Sequence, residues 1–192
     1  MLLTSKDKGV LLLCARESLK GLFSDNTPPT IDYQFYPDLV KQYGAFVTLT
    51  KNDELRGCIG YIYSEDPLFE VIKEVSKLAA TEDPRFPPVS ENELSQILIE
   101  ISVLSKPQPL NDYKDIEIGV HGLLLEEPNA RGVLLPQVAV EHSMDVSGFL
   151  TSLCRKANLP PNKWMSEKLN IKTFTADVFG EQKRIDLTGE RN

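Results

Sequence analysis

The alternation of apolar and polar residues along the chain predicts several short strands. Residues 45–50 alternate and are followed by Asn52 and Asp53, which favour a tight hairpin turn before a second strand at residues 55–61. Residues 97–104 have the clearest strand pattern, because every second residue from 97 to 103 is a branched apolar one. These three segments predict a sheet that contains at least one antiparallel pair.

Further strands are predicted in the second half of the chain. Residues 116–120 and 123–125 are typical of a hairpin around His121 and Gly122, and residues 171–179 alternate as one last strand. The polar tail beyond Gln182 is predicted to be loose.

Helices are predicted where apolar residues recur every three or four positions. Thr4 and Asp7 match a capping box and predict a first helix that runs to about Leu22. Other helices are predicted after Asp66-Pro67, from Pro136 to about His142, and after Asp145. Helices interspersed among short antiparallel strands predict an α+β fold, with a mostly antiparallel sheet and flanking helices in one domain at residues 1–192.

Composition and charge narrow the possible functions. The chain has 21 Lys plus Arg against 28 Asp plus Glu, a net charge of -7, which disfavours nonspecific DNA binding. No apolar run approaches the roughly 20 residues of a membrane span, so no membrane association is expected. The three cysteines form no Cys-x-x-Cys pair, which predicts no metal site and free thiols suited to a cytoplasmic protein. No motif identifies a cofactor.

Arg56 and Cys58 are the first candidates for chemistry. They stand two residues apart on a predicted strand, so their side chains would share a face. A guanidinium there would favour the thiolate and make Cys58 a nucleophile, a redox thiol or a soft ligand. The alternative is structural. The predicted hairpin register places Cys58 opposite Val47 and Arg56 opposite Leu49, on an apolar face where a cysteine is a small core residue. The pattern leaves both open.

Two neighbouring features have similar alternatives. Gly57 would let a ligand approach the backbone, or would let a helix pack closely on the strand. Arg85 lies in a proline-rich segment, residues 83–88, that would hold it rigidly for a ligand. In the other interpretation Asp83 caps a turn and Arg85 pairs with a carboxylate nearby.

A polar group is predicted on the short helix that begins at Pro136. Gln137 and Glu141 are four residues apart and share a face, with His142 on its flank. They would converge on Cys58, with His142 as the base and Glu141 orienting it. Alternatively, His142 complements the helix dipole and Glu141 is solvated.

Four segments together resemble a known family. They are residues 55–60 (LRGCIG), 83–88 (DPRFPP), 119–123 (GVHGL) and 134–142 (LLPQVAVEH). In order and spacing they are similar to the AMME-syndrome critical-region (AMMECR) family, whose most specific segment is the first. The resemblance implies an α+β domain with two unequal lobes around a cleft near residues 55–60. Relatives often carry Gly-Trp where this chain has Ser143 and Met144, so stacking by that Trp is not expected here.

The resemblance implies no firmly assigned reaction. Family members often neighbour, or are fused to, a dioxygenase-like module and a radical-SAM enzyme, which implies a part in a modification pathway with such partners. One hypothesis is therefore an enzyme or enzyme component. The alternative is a non-catalytic module that binds a small anionic ligand, an RNA feature or a partner protein. In both, one cleft would hold the ligand-binding residues Arg56, Gly57, Arg85 and Gln137 and the catalytic residues Cys58, His142 and Glu141.

Overall fold

The computed structural model describes residues 3–24 and 27–182, and the predicted loose tail beyond Gln182 lies outside them. The chain divides into two compact units of unequal length. The terminal unit contains the described residues up to Val103 and from Asp177 onward, and the inserted unit comprises Leu104–Ala176.

The helices and strands alternate along the chain. In chain order the helices are α1 Ser5–Lys20, α2 Leu68–Thr81, α3 Pro136–Glu141, α4 Val146–Lys156 and α5 Lys163–Ser166. The strands are β1 Gly44–Lys51, β2 Glu54–Tyr61, β3 Ile97–Leu104, β4 Gln108–Pro109, β5 Gly122–Glu127, β6 Ala130–Leu134, β7 Ile171–Phe174 and β8 Ala176–Gly180. The strands form two sheets, and the pairs β1/β2, β4/β7, β5/β6 and β5/β7 are antiparallel. The predicted α+β class with mostly antiparallel pairing is confirmed.

The terminal unit packs two helices against a sheet with strand order β2-β1-β3-β8. The alternating residues Val47 and Leu49 of β1 and Ile99 and Ile101 of β3 are buried in one cluster with α1 and α2. Each such side chain contributes roughly 1.5–3 kcal/mol when fully buried. The predicted capping box is present at the start of α1, where Asp7 N donates to Thr4 Oγ1 and Thr4 N donates to Asp7 Oδ2.

The predicted hairpin of β1 and β2 is also confirmed. Asn52 and Asp53 both have positive φ, 54° and 65°, as a two-residue turn of mirror-image type requires. Because β2 lies at the edge of the sheet, its outer backbone groups face away from β1.

The inserted unit has its own sheet, with strand order β4-β7-β5-β6, and its own core. Helix α4 begins after Asp145, whose Oδ1 accepts from Gly148 N at 2.7 Å, and its apolar side packs on this sheet. The predicted capping of α4 by Asp145 is therefore confirmed.

Two strand predictions were wrong. Residues 116–120 form a turn region, and the hairpin is instead made by β5 and β6. The alternating residues 171–179 form two strands, β7 and β8, that belong to different sheets. The break is at Thr175, whose N–H donates to Ser105 Oγ and whose carbonyl accepts from Ser105 N. A run of alternating residues indicates extended backbone, but it does not indicate which neighbour the strand pairs with.

Candidate functional site

Cys58 lies on β2 opposite Thr48, and the predicted register was wrong by one residue. Thr48 Oγ1 donates to Cys58 Sγ at 3.3 Å. The neighbouring positions Val47 and Leu49 face the core, so Thr48 and Cys58 lie on the other face of the sheet. Cys58 is partly exposed, whereas Cys14 and Cys154 are buried and all three are free thiols. Burial raises the pKa of the Cys14 thiol to about 12.

A β-bulge at Arg56 causes the register shift. Leu49 pairs with Gly57 but Thr50 pairs with Leu55, which leaves Arg56 as the extra residue. The bulge moves every later residue of β2 by one position along β1. Cys58 therefore lies opposite Thr48 and not opposite Val47, on the face of the sheet that points away from Val47 and Leu49.

Arg56 makes four hydrogen bonds, two to Glu93 and two to backbone carbonyls. Its Nε donates to Glu93 Oε1 at 3.0 Å and its Nη2 to Oε2 at 3.1 Å. Its Nη1 donates to the Pro87 carbonyl at 2.9 Å and its Nη2 to the Pro88 carbonyl at 3.2 Å. The Arg56 hydrogen bonds hold the pKa of Glu93 well below its usual range, and the bond from Ser90 N acts in the same direction.

Gly57 is buried against the C-terminal end of α2. A Cβ at this position would lie 2.1 Å from the Ala79 carbonyl oxygen, far inside van der Waals contact. The structure thus has the close helix packing that the sequence left as one of two alternatives. Gly60 has a similar constraint on the opposite face, where a Cβ would lie 2.4 Å from the Phe46 ring.

Asp83 joins the outer edge of β2 to Arg85. Its Oδ2 accepts from the Cys58 backbone N–H at 2.8 Å, and its carboxylate accepts from Arg85 Nε at 2.9 Å and Arg85 Nη2 at 2.6 Å. The Asp83 side chain is 3% exposed and that of Arg85 is 54% exposed. The Arg85 hydrogen bonds hold the pKa of Asp83 well below its usual range, although burial acts in the opposite direction.

One edge of the Arg85 guanidinium remains available. A guanidinium has five N–H donors, and Asp83 accepts from Nε and from one hydrogen of Nη2. The edge formed by Nη1 and the other Nη2 hydrogen has no partner among residues 3–24 and 27–182. The pKa of Arg85 lies above its ordinary value, chiefly through the Asp83 hydrogen bonds and in smaller part through the charge of Cys58.

The remaining predicted residues lie in the inserted unit, Gln137 and Glu141 on α3 and His142 directly after it. Gln137 is partly buried, and its Oε1 is a buried atom without a hydrogen-bond partner in the described part of the chain. Glu141 and His142 are exposed, and the His142 backbone N–H donates to the Val138 carbonyl at 3.2 Å. Arg56, Gly57, Cys58 and Arg85 thus belong to the terminal unit, and the α3 residues to the inserted unit. That they line one cleft stays a prediction.

Sequence reasoning did not single out Thr48 or Glu93. Glu93 had a detectable signal, because Ser90 and Glu93 form the Ser-x-x-Glu pattern of a capping box. Thr48 had none, because its pairing with Cys58 depends on the bulge.

The described residues contain neither a candidate metal cluster nor a helix that could span a membrane. No group of three or more His, Cys, Asp or Glu side chains in the described residues could hold a metal ion. In the same part of the chain, every helix is too short or too polar to cross a bilayer.

Comparisons with known proteins identify the family. The AMMECR1 family model matches residues 12–179, which include parts of both units. Protein Mbar_A1807 of Methanosarcina barkeri is 35% identical, over 100% of this chain and 98% of its own length. A protein of Methanothermobacter thermautotrophicus is 41% identical, over 92% of this chain and 96% of its own.

A solved structure agrees. The crystal structure of the uncharacterized protein PH0010 from Pyrococcus horikoshii is similar, with a TM-score of 0.82 and 34% identity over 90% of each chain. The names of these three relatives state no activity. Sequence and fold therefore agree that this chain belongs to the AMMECR1 family.

Proposed function

We propose that the terminal unit binds a small oxyanion, a carboxylate or a phosphate, at the free edge of the Arg85 guanidinium beside Cys58. Both units together would form one AMMECR domain, and the protein would work in the cytoplasm. The observation that carries the proposal is the Asp83–Arg85 pair. A buried carboxylate holds one edge of the guanidinium, whose side chain is 54% exposed. The same carboxylate accepts from the backbone N–H of the partly exposed Cys58.

Chemistry favours an oxyanion at this edge. Two parallel N–H groups match the two oxygens of a carboxylate or phosphate, and such bidentate charge-assisted bonds are stronger than neutral ones. Asp83 also removes most of the freedom of the Arg85 side chain before a ligand arrives. Ordering such a side chain on binding otherwise costs roughly 0.5–1.5 kcal/mol.

The experiment compares two alkylating reagents on the native protein. Iodoacetate is an anion and iodoacetamide is neutral, but both react with the Cys58 thiolate. The ratio of their rates, read by mass spectrometry, therefore reports the electrostatic potential at the sulfur and not its ionisation. In water, a unit positive charge attracts an anionic reagent about 6 Å away by roughly 0.7 kcal/mol, which corresponds to about a threefold change in the rate of alkylation. We expect Arg85→Gln to lower the ratio about threefold at constant ionic strength.

Inorganic phosphate supplies the ligand test, and two variants supply the controls. Phosphate should slow the reaction of Cys58 with iodoacetate in the wild type but not in Arg85→Gln. Arg85→Lys keeps a charge but loses the two-pronged edge, so the phosphate effect should weaken sharply. Lys20→Gln removes a cation that is 51% exposed on α1, on the other side of the sheet, and should leave the ratio unchanged. An unchanged ratio in Arg85→Gln, with no phosphate effect, would refute the proposal.

A second candidate function is thiol chemistry at Cys58, with His142 as base, Glu141 orienting it and Gln137 contacting the ligand. It is favoured by the exposure of Cys58 alone among the three cysteines and by the unpartnered Gln137 Oε1. By family resemblance, this chemistry would serve a modification pathway with dioxygenase-like and radical-SAM partners. If His142 acts on the thiol, His142→Gln will shift the pH profile of Cys58 alkylation by iodoacetamide. An unshifted profile would remove His142 from this mechanism and leave the anion site untouched.

A further inference from the structure

The loop of residues 83–88, which carries Arg85, is fastened to β2 at both ends. At its start, Asp83 Oδ2 accepts from the Cys58 backbone N–H at 2.8 Å. At its end, the Pro87 and Pro88 carbonyls accept from Arg56 at 2.9 and 3.2 Å. The two anchor points on β2 are only two residues apart, so the loop forms a closed arch with Arg85 between its fixed ends.

Arg56 is itself held in place from several directions. Its guanidinium donates two hydrogen bonds to the Glu93 carboxylate. The Glu93 carboxylate also accepts from Lys51 Nζ at 3.1 Å and from Ser90 N at 3.0 Å. The side chains of Arg56 and Glu93 are only 13% and 18% exposed. Arg56 is therefore held by more side-chain hydrogen bonds than Arg85 and is less accessible.

The two arginines differ most in the donors that they leave free. Arg56 makes four hydrogen bonds with its five N–H groups, so at most one donor is left for a ligand. Arg85 gives two side-chain hydrogen bonds to Asp83, so the other three of its five N–H donors have no partner in the described chain. The contacts of Arg56 therefore suit a residue that holds the loop backbone, and those of Arg85 suit a residue that binds the oxyanion.

We propose that Arg56, held by Glu93, is a positioning residue that fixes Arg85 beside Cys58 by clamping the end of the 83–88 loop. The inference rests on the proposed function, since it concerns the geometry of the same anion site. It changes the role expected from the sequence, in which the Arg56 charge acts on the thiol directly. The β-bulge makes the clamp possible, because it inserts Arg56 into β2 as a residue without a partner on β1.

The test uses the same iodoacetate-to-iodoacetamide ratio at Cys58. Arg56→Lys keeps the positive charge but cannot bond to Glu93 and both carbonyls at once. We expect it to lower the ratio about twofold and to weaken phosphate protection. In an Arg85→Gln background the same change should have no further effect, because Arg56 acts through Arg85. Glu93→Gln keeps the size of the side chain and serves as a second variant if Arg56→Lys folds poorly.

Arg16 provides a matched control within the terminal unit. It also pairs with a carboxylate, that of Glu181, and donates to the Leu94 and Ile97 carbonyls at 2.9 and 2.8 Å. Its side chain is 18% exposed, close to the value for Arg56. Arg16→Lys should therefore lower stability by a similar amount and leave the alkylation ratio at the wild-type value.

The outcomes separate the two proposals. A ratio that is lowered by Arg85→Gln but not by Arg56→Lys or Glu93→Gln would overturn the positioning role and leave the anion site in place. A reduction by Arg56→Lys that persists in the Arg85→Gln background would also overturn it, because Arg56 would then act without Arg85. If Arg85→Gln itself has no effect, the anion site fails and this inference fails with it.

Discussion

The polar residues of the 83–88 loop and those at the end of α3 differ in how firmly they are held. In the loop, Asp83 and Arg85 bond to each other, and Asp83 also accepts from β2. At the end of α3, Glu141 and His142 are exposed, and their side chains make no hydrogen bond to the rest of the described chain. From the sequence, Arg85 of the loop and the residues at the end of α3 were all candidates for the site.

This difference shows why contacts matter more than residue type for a binding site. A side chain fixed before the ligand arrives loses little conformational entropy on binding, whereas an exposed glutamate or histidine must be ordered at a cost. The loop is therefore the better prepared site. The following predictions test this comparison between the two regions.

The largest effect is expected at Gly57, which supports the start of the loop. Gly57→Ala places a Cβ against the Ala79 backbone and should lower the free energy of unfolding by about 3 kcal/mol. The matched change in the inserted unit is Gly132→Ala, whose Cβ would meet Ala157 at 3.1 Å and should cost only about 1 kcal/mol. Urea unfolding measures both, and equal losses would contradict the close contact at Gly57.

Asp83→Asn should lower the free energy of unfolding by about 2–3 kcal/mol at pH 7, because it removes the charge of a buried carboxylate that accepts hydrogen bonds from Arg85 and from the Cys58 backbone. The pKa of Asp83 is depressed in the folded protein, so its stabilisation is present above the unfolded-state pKa of about 3.9 and decreases as the pH falls below it. The difference between wild type and variant should therefore narrow below about pH 4. A difference that stays constant from pH 7 to pH 3 would contradict the ion pair.

Ser143→Gly should stabilise the protein by about 0.5–1 kcal/mol. Ser143 has a positive φ of 49° after α3, where Ser143 N donates to the Val140 carbonyl and Met144 N to the Ala139 carbonyl. This pair of bonds is a Schellman motif, in which glycine is the favoured residue. Thermal unfolding tests the prediction, with Ser143→Ala as the control that should not stabilise.

The smallest effects are expected at the exposed end of α3. Glu141→Gln and His142→Gln should each change the free energy of unfolding by less than about 0.5 kcal/mol, because neither side chain is buried or paired within the described chain. Urea unfolding at pH 7 measures both. A loss above 1 kcal/mol in either variant would show that this region is held as firmly as the loop.

The sequence determined the local structure of this protein to a large extent. Capping residues such as Thr4 and Asp145 start the predicted helices, and Asn52 with Asp53 makes the predicted turn, because these signals depend only on neighbouring residues. Four separated segments were enough to identify the family, and the family match now confirms it.

Only the tertiary structure decided how those elements pair. Because of the bulge at Arg56, Cys58 pairs with Thr48 and not with Val47, the partner predicted from the sequence. The strand predicted at residues 171–179 is two strands that belong to different sheets. Both outcomes depend on hydrogen bonds between distant parts of the chain, which an alternating pattern does not encode. For the same reason the two arginines looked alike in the sequence. In the structure, Arg56 donates its hydrogen bonds to Glu93 and to the Pro87 and Pro88 carbonyls. Arg85 pairs with Asp83, and its side chain stays 54% exposed.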